Sequence, residues 1–274
     1  MKRKKIFTTV LLFYCVTNLL GQTIVPSKLI NEYNVLDTSI IRVAYSLDII
    51  NNIEKPLDIT NDIIYLEIGD KLSKSYSYTL FSYDSIATVQ YYKGAKAFPL
   101  CQKTILPMEV FKNYLQGQNT IIYRSPFDGP IYLYLDDYCK FNWNISSDLK
   151  EILGYQCQKA TSNFRGRIWE AWFTNEIPIS DGPWNFCGLP GLILAISDSE
   201  QHYSFTCIGI ENTKVQIVMW DWIYEKTIRE KLNKYLINFH NNPYSYMQST
   251  LRVSGKSEAE LKKYSFPYNP IELE

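Results

Sequence analysis

The sequence predicts a mainly β protein: one curved antiparallel sheet, open like a half-barrel, with a few flanking helices, α+β in detail. Three observations carry this. Aromatic residues make up 15% of the chain, 22 of them tyrosine; with many Val, Ile and Thr they favour pleated, half-buried surfaces. Apolar and polar residues alternate with a period of two in several stretches. Gly and Pro clusters punctuate those stretches.

Residues 1–21 read as a secretory signal. Lys2, Arg3, Lys4 and Lys5 give a positive start, Ile6 to Leu20 an apolar run, and Gly21-Gln22 a cleavage point. The apolar run is about 15 residues, short of the roughly 20 a spanning helix needs, and no later stretch is long enough to cross a bilayer. Residues 22–274 are expected to form a single domain. Residues 1–21 hold four basic and no acidic residues, so the 28 basic and 28 acidic residues of the whole chain become 24 against 28. That balance gives no footprint for a nucleic-acid partner.

Along the remaining 253 residues, Val43, Tyr45, Leu47 and Ile49 line one strand face, opposite Arg42, Ala44, Ser46 and Asp48. Tyr76, Tyr78 and Leu80 alternate with small polar residues. Trp169, Ala171 and Phe173 alternate with Ile168, Glu170 and Trp172, and Tyr203, Phe205 and Cys207 with Ser204, Thr206 and Ile208. This pattern marks half-buried antiparallel strands. Pro107 to Leu115 is expected as a short helix. Tyr132–Asn144 and Leu153–Ser162 look like hairpin arms with a turn near Ser146-Ser147-Asp148. Gly188-Leu189-Pro190-Gly191 reads as a type II turn, with Pro190 fixing φ and Gly191 taking the positive φ; it delivers a buried strand, Leu192 to Ile196. A C-terminal helical portion is expected over about 221–265. Thr227 to Glu230 and Ser257 to Glu260 match capping boxes, and Asn241-Asn242-Pro243 stops the first helix.

Five of the six cysteines follow residue 21, so one thiol is left over within a chain in an oxidising compartment. A hairpin centred on residue 148 places Cys139 opposite Cys157; Cys187 with Cys207 is the next pairing, and buried free thiols are the alternative.

The search for chemistry returns little. Two histidines, His202 and His240, do not make a zinc site, and His240 is expected exposed at a helix end. Gly-x-Ser-x-Gly, Cys-x-x-Cys, phosphate-cradling and dinucleotide motifs are absent. No catalytic residue, metal site or cofactor is assigned. Asp136 and Asp137 are adjacent on a strand and point to opposite faces. The candidate recognition surface or cleft comprises Trp169, Trp172 and Trp184, because exposed aromatics bind sugars, peptides and acyl chains, with Glu176 as a ligand-contacting carboxylate; core packing is the competing role for the tryptophans and a satisfied polar group on the open face that for Glu176.

From Lys150 onward the chain resembles the GLPGLI family of exported Bacteroidota proteins. The resemblance rests on residues 154–160, Gly166-Arg167, residues 171–179, Gly182-Pro183, Gly188 to Ile193 and the run Asn269-Pro270-Ile271-Glu272-Leu273-Glu274. Phe173 departs from the Tyr often found there. The resemblance implies an exported protein, periplasmic or extracellular, with genes often near outer-membrane TonB-dependent receptors, and carries over no catalytic residue. The resulting expectation is a non-enzymatic binding or accessory protein holding an apolar ligand or peptide on its aromatic sheet, by analogy with the half-barrel of periplasmic lipoprotein carriers. The alternatives are a docking partner of an outer-membrane receptor and an unrecognised cysteine hydrolase.

Overall fold

The computed structural model describes residues 24–127, 129–243 and 266–274. The signal-like segment and the Ser257 capping box lie outside these. Fifteen strands and two helices follow in order: β1 (Val25–Pro26), β2 (Tyr33–Ile50), β3 (Ile59–Gly69), β4 (Ser73–Ser77), α1 (Tyr78–Tyr92), β5 (Leu100–Cys101), β6 (Met108–Leu115), β7 (Gln118–Arg124), β8 (Ile131–Asp137), β9 (Asn144–Ile152), β10 (Tyr155–Phe164), β11 (Arg167–Thr174), β12 (Leu192–Asp198), β13 (Tyr203–Asn212), β14 (Gln216–Trp220), β15 (Tyr224–Lys226) and α2 (Arg229–Asn241). One large sheet runs β15-β8-β7-β6-β4-β3-β2-β13-β12-β11-β10-β9, with β14 added to the first part of β2. The pairings are antiparallel except β15 with β8. The sheet does not close into a barrel. Among the described residues no helix is long and apolar enough to cross a membrane.

Three of the four alternations predict the inner face correctly. Val43, Tyr45, Leu47 and Ile49 are buried, as are Trp169, Ala171 and Phe173, and Tyr203, Phe205 and Cys207. Across this face lies the loop between β11 and β12. Lys112 of β6 holds it, donating to Asp181, to the Gly182 carbonyl at 2.5 Å and to the Phe186 carbonyl at 3.4 Å. The Trp184 amide donates to Ser75 Oγ at 2.9 Å, and Asn119 donates to Asn185. Ser75, Lys112 and Asn119 are all buried, so these inward-facing polar side chains exist to satisfy the loop rather than solvent.

Several local expectations fail, each for a physical reason. Pro107–Leu115 is not helical: it is strand β6, paired on both sides by β4 and β7. Tyr76 to Leu80 is not one strand. β4 ends at Ser77, whose hydroxyl accepts from the Leu80 amide at 3.1 Å and caps α1. The buried side of α1 is Leu80, Asp84 and Ala87; with a carboxylate in the stripe, no helical apolar period was visible. The hairpin turn lies at Leu153-Gly154, with φ of 52° and 82°, the pair of positive values that a two-residue hairpin loop prefers. Ser146 to Asp148 instead form a bulge between the Ile145↔Ala160 and Leu149↔Gln158 pairs.

The proline-glycine corner is also built differently. Positive φ falls at Gly188 (95°) and not at Gly191. Gly191 is required by proximity: a Cβ there would overlap the Thr174 carbonyl oxygen and lie 3.1 Å from the Asn175 nitrogen. β12 starts at Leu192, as expected, and Leu189 is buried.

Of the expected helical portion, α2 occupies 229–241, and residues 224–226 form β15. Thr227 does not cap: Ile228 is the N-cap, without a side-chain bond, and the Thr227 amide is spent on the Leu133 carbonyl at 3.0 Å. Residues 266–274 strap the sheet. Arg167 reaches the Asn269 side chain (2.7 Å), the Pro270 carbonyl (2.6 Å) and the Ile271 carbonyl (3.1 Å) while pairing with Asp198 at 2.8 Å. Asn269 in turn donates to the Ile50 carbonyl and accepts from the Tyr203 hydroxyl, each at 2.7 Å.

Candidate functional site

The four sequence-predicted recognition residues do not converge on one site: Trp169 and Trp184 come together, and Trp172 and Glu176 lie apart from them. Trp169 and Trp184 are buried, 6.1 Å apart by ring centroid, with Phe186 wedged against both at 4.7 and 5.0 Å. Trp169 from β11 and Trp184 and Phe186 from the loop fill the interior. Trp172 points to the other sheet face, where Lys150 sits 4.2 Å over its ring and its indole N–H donates to Glu170 at 3.1 Å. Glu176 is exposed and accepts from the Gln156 amide at 2.8 Å. No cleft joins the four.

Neither disulfide pairing expected from the sequence forms. Cys139 bonds to Cys187, with Cα atoms 5.5 Å apart, and Cys101, Cys157 and Cys207 are free and buried. With the hairpin turn at 153–154, Cys157 faces Lys150 rather than Cys139. Burial pushes the Cys157 and Cys207 thiols up to about 11, so they are neutral at physiological pH and poor nucleophiles. His240 is buried, correcting the exposed position expected for it; its ring stacks on Tyr268 at 4.0 Å, and burial lowers it to about 4. Asp136 pairs with Arg165 and Asp137 with Lys140. Among the described residues no group of three or more His, Cys, Asp or Glu is placed to hold a metal ion.

The convergent polar site lies elsewhere, on the outer face of β2, β3, β4 and β6. Because side chains alternate, Arg42, Glu67 and Lys74 project opposite to Val43 and Leu66. Register places them side by side: Glu211 faces Arg42, Arg42 faces Glu67, and Glu67 faces Lys74. The result is a ladder of alternating charge. Arg42 pairs with Glu67 at 2.9 Å and with Glu211 at 3.2 Å; Lys74 pairs with Glu109 at 2.7 Å. The Tyr76 hydroxyl donates to Glu67 at 3.0 Å, the Trp220 N–H to Glu109 at 3.1 Å, and the Lys74 ammonium to the Val218 carbonyl at 3.0 Å. Burial pulls the Arg42 guanidinium down, but the Glu67 hydrogen bond and charge outweigh it, leaving its pKa above the usual value. Burial and then the Glu67 charge raise the Tyr76 hydroxyl well above its ordinary range. Both groups therefore hold one protonation state near neutrality.

Rings wall this ladder. Tyr65 stacks on Tyr78 at 4.3 Å, Phe81 lies 6.3 Å from Trp220, and Tyr33 meets Trp220 edge-on at 5.9 Å. α1 supplies Tyr78 and Phe81, and β14 supplies Trp220. Together they enclose a cavity of about 500 Å³ whose lining includes Arg42, Glu67 and Lys74. Two other cavities lack this combination. One of about 80 Å³ lies beneath the C-terminal strap, too small for more than a few waters. One of about 1020 Å³ beside β15 has Glu32, Asp221 and Glu225 exposed along its lining and no buried charge converging on it. The outer-face pocket is not legible in sequence because its residues come from four strands and a helix whose start reads as a strand. The available signal was Arg42 alone among small residues on the polar side of β2.

The fold and pocket thus define an open, mainly antiparallel sheet protein with an aromatic-walled recess on its outer face. A protein-family model described as "Protein of unknown function (Porph_ging)" matches residues 165–195, from the β10–β11 turn into β12. No curated protein matches. Among solved structures, the chain is similar to "Structure of PNGF-II in P21 space group", at 13% identity over 74% of this chain and 34% of that one, with a TM-score of 0.47. It is similar also to "Structure of PNGF-II in C2 space group", at 14% identity over 74% of this chain and 33% of that one, with a TM-score of 0.47. The chain spans about a third of the length of those structures.

Proposed function

We propose that this is a non-enzymatic binding protein of the cell envelope whose ligand sits in the outer-face pocket. The observation that carries the reading is the pairing of aromatic walls with a charge-alternating floor of Arg42, Glu67 and Lys74 in a recess of about 500 Å³, the size and chemistry of small-ligand sites. It moves the ligand away from Trp169 and Trp184, whose face the β11–β12 loop fills. Export is part of the proposal: the signal-like residues 1–21 and the Cys139–Cys187 bond suit an oxidising compartment. So is membership of the GLPGLI family, on the residues quoted above.

The test is a thermal-shift panel of lipids, peptides and glycans on the 22–274 chain. A ligand-dependent rise in Tm that disappears in Phe81→Ala but survives in Trp172→Ala is the expected result. A flat response across the panel would overturn the reading. A filled interior, with Gly188 and Pro190 exposed at the corner, favours a second reading, docking on an outer-membrane receptor. Stoichiometric recovery of a barrel protein from native membranes, lost on Pro190→Glu, is its signature.

A further inference from the structure

We infer that the pocket takes a neutral, hydroxyl-rich ring, a saccharide unit, and this rests on the pocket being the ligand site. The argument is elimination by the pocket's own contents. A cationic ligand would seek the ring faces, and those of Tyr65, Tyr76 and Trp220 already carry the protein's own cations: Arg42 lies 5.1 Å over Tyr65, and Lys74 lies 5.0 Å over Tyr76 and 5.2 Å over Trp220. An anion finds no surplus positive charge, because Arg42 and Lys74 are matched by Glu67, Glu109 and Glu211. An acyl chain would cover a buried ionic floor without hydrogen-bonding to it, which is unfavourable.

A sugar ring satisfies each constraint. Its hydroxyls donate and accept, matching a floor on which donors and acceptors alternate from Arg42 through Glu67 to Lys74. The axial C–H face of a pyranose is apolar and flat, as the rings of Tyr78 and Phe81 require.

The experiment follows tryptophan emission, with Trp220 in the wall as reporter, while the 22–274 chain is titrated with glucose, galactose and N-acetylglucosamine. Choline, decanoate and N-acetylphenylalaninamide are titrated in parallel. The expected result is saturation by at least one sugar and by none of the other three. Arg42→Gln should weaken that affinity about tenfold, and Tyr78→Ala, which leaves the ladder intact, about fivefold. Saturation by choline, decanoate or the phenylalanine amide alone overturns the saccharide class and keeps the pocket. No saturation by any probe overturns the pocket as well. Sugar binding that neither substitution weakens places the sugar elsewhere and overturns the inference.

Discussion

Opening the Cys139–Cys187 bond should be the most costly single change outside the central core. The two residues are 48 apart in sequence. A cross-link closing a loop of that length restricts the unfolded chain by about 4 kcal/mol in the chain-entropy treatment, a large share of the roughly 5–15 kcal/mol that holds a domain together. The Cys187 end is also fixed from the side, since the Trp143 indole donates to its carbonyl at 2.8 Å. The bond therefore anchors the β8–β9 connection to the loop that Lys112 holds from beneath. Urea unfolding of Cys139→Ala and of Cys187→Ala should each show that loss. The double variant should lose no more than either single one, because both remove the same constraint. Cys157→Ala and Cys207→Ala should lose only a small packing contribution. Additive losses at 139 and 187 would refute the pairing. Non-additive losses between Cys139 and Cys157 would restore the hairpin pairing that sequence geometry suggests.

Two further outcomes follow from local geometry. Gly191→Ala forces a methyl into the Thr174 carbonyl and should cost about 3 kcal/mol, whereas Gly188→Ala meets only ordinary contact with Trp143 and should cost about 1 kcal/mol for its left-handed backbone. Thermal melts ranking Gly188 above Gly191 would contradict the close-approach account. Stability should also fall on acidification through His240: folded, it titrates at about 4, against 6.5 when unfolded. Between those values the unfolded chain binds the proton and the folded one does not, so about 3 kcal/mol present above pH 6.5 is lost as pH falls to 4. His240→Gln should flatten that part of the stability–pH curve; an unchanged slope would assign the acid sensitivity to other groups.

The sequence exposed the period-two faces and little of what joins them. Val43 to Ile49 and Trp169 to Phe173 were legible because one face is apolar and the other is not. The segment Met108–Leu115 was misread because a central strand buried on both sides loses that contrast: Val110, Phe111 and Lys112 are consecutively buried. α1 was misread because Tyr, Ser and Thr dominate it and its buried stripe contains Asp84, whose carboxylate is matched by Arg124 from β7. The pocket was invisible for a related reason. Arg42, Glu67 and Lys74 are ordinary surface charges in sequence, and only the register of β2, β3 and β4 turns them into a ladder. The tryptophans were recognised as special, but their role depended on where the β11–β12 loop lands, a long-range contact no local pattern encodes.

The strap at 266–274 has a consequence for how the chain reaches its final form. Arg167 is inside β11, yet its carbonyl partner at Ile271 comes 104 residues later. During synthesis, its guanidinium has only Asp198, His202 and the Tyr203 ring to meet until that distant stretch arrives. A chain built this way closes late, and a cut or fused partner near Asn269 should leave it soluble-looking but unlatched.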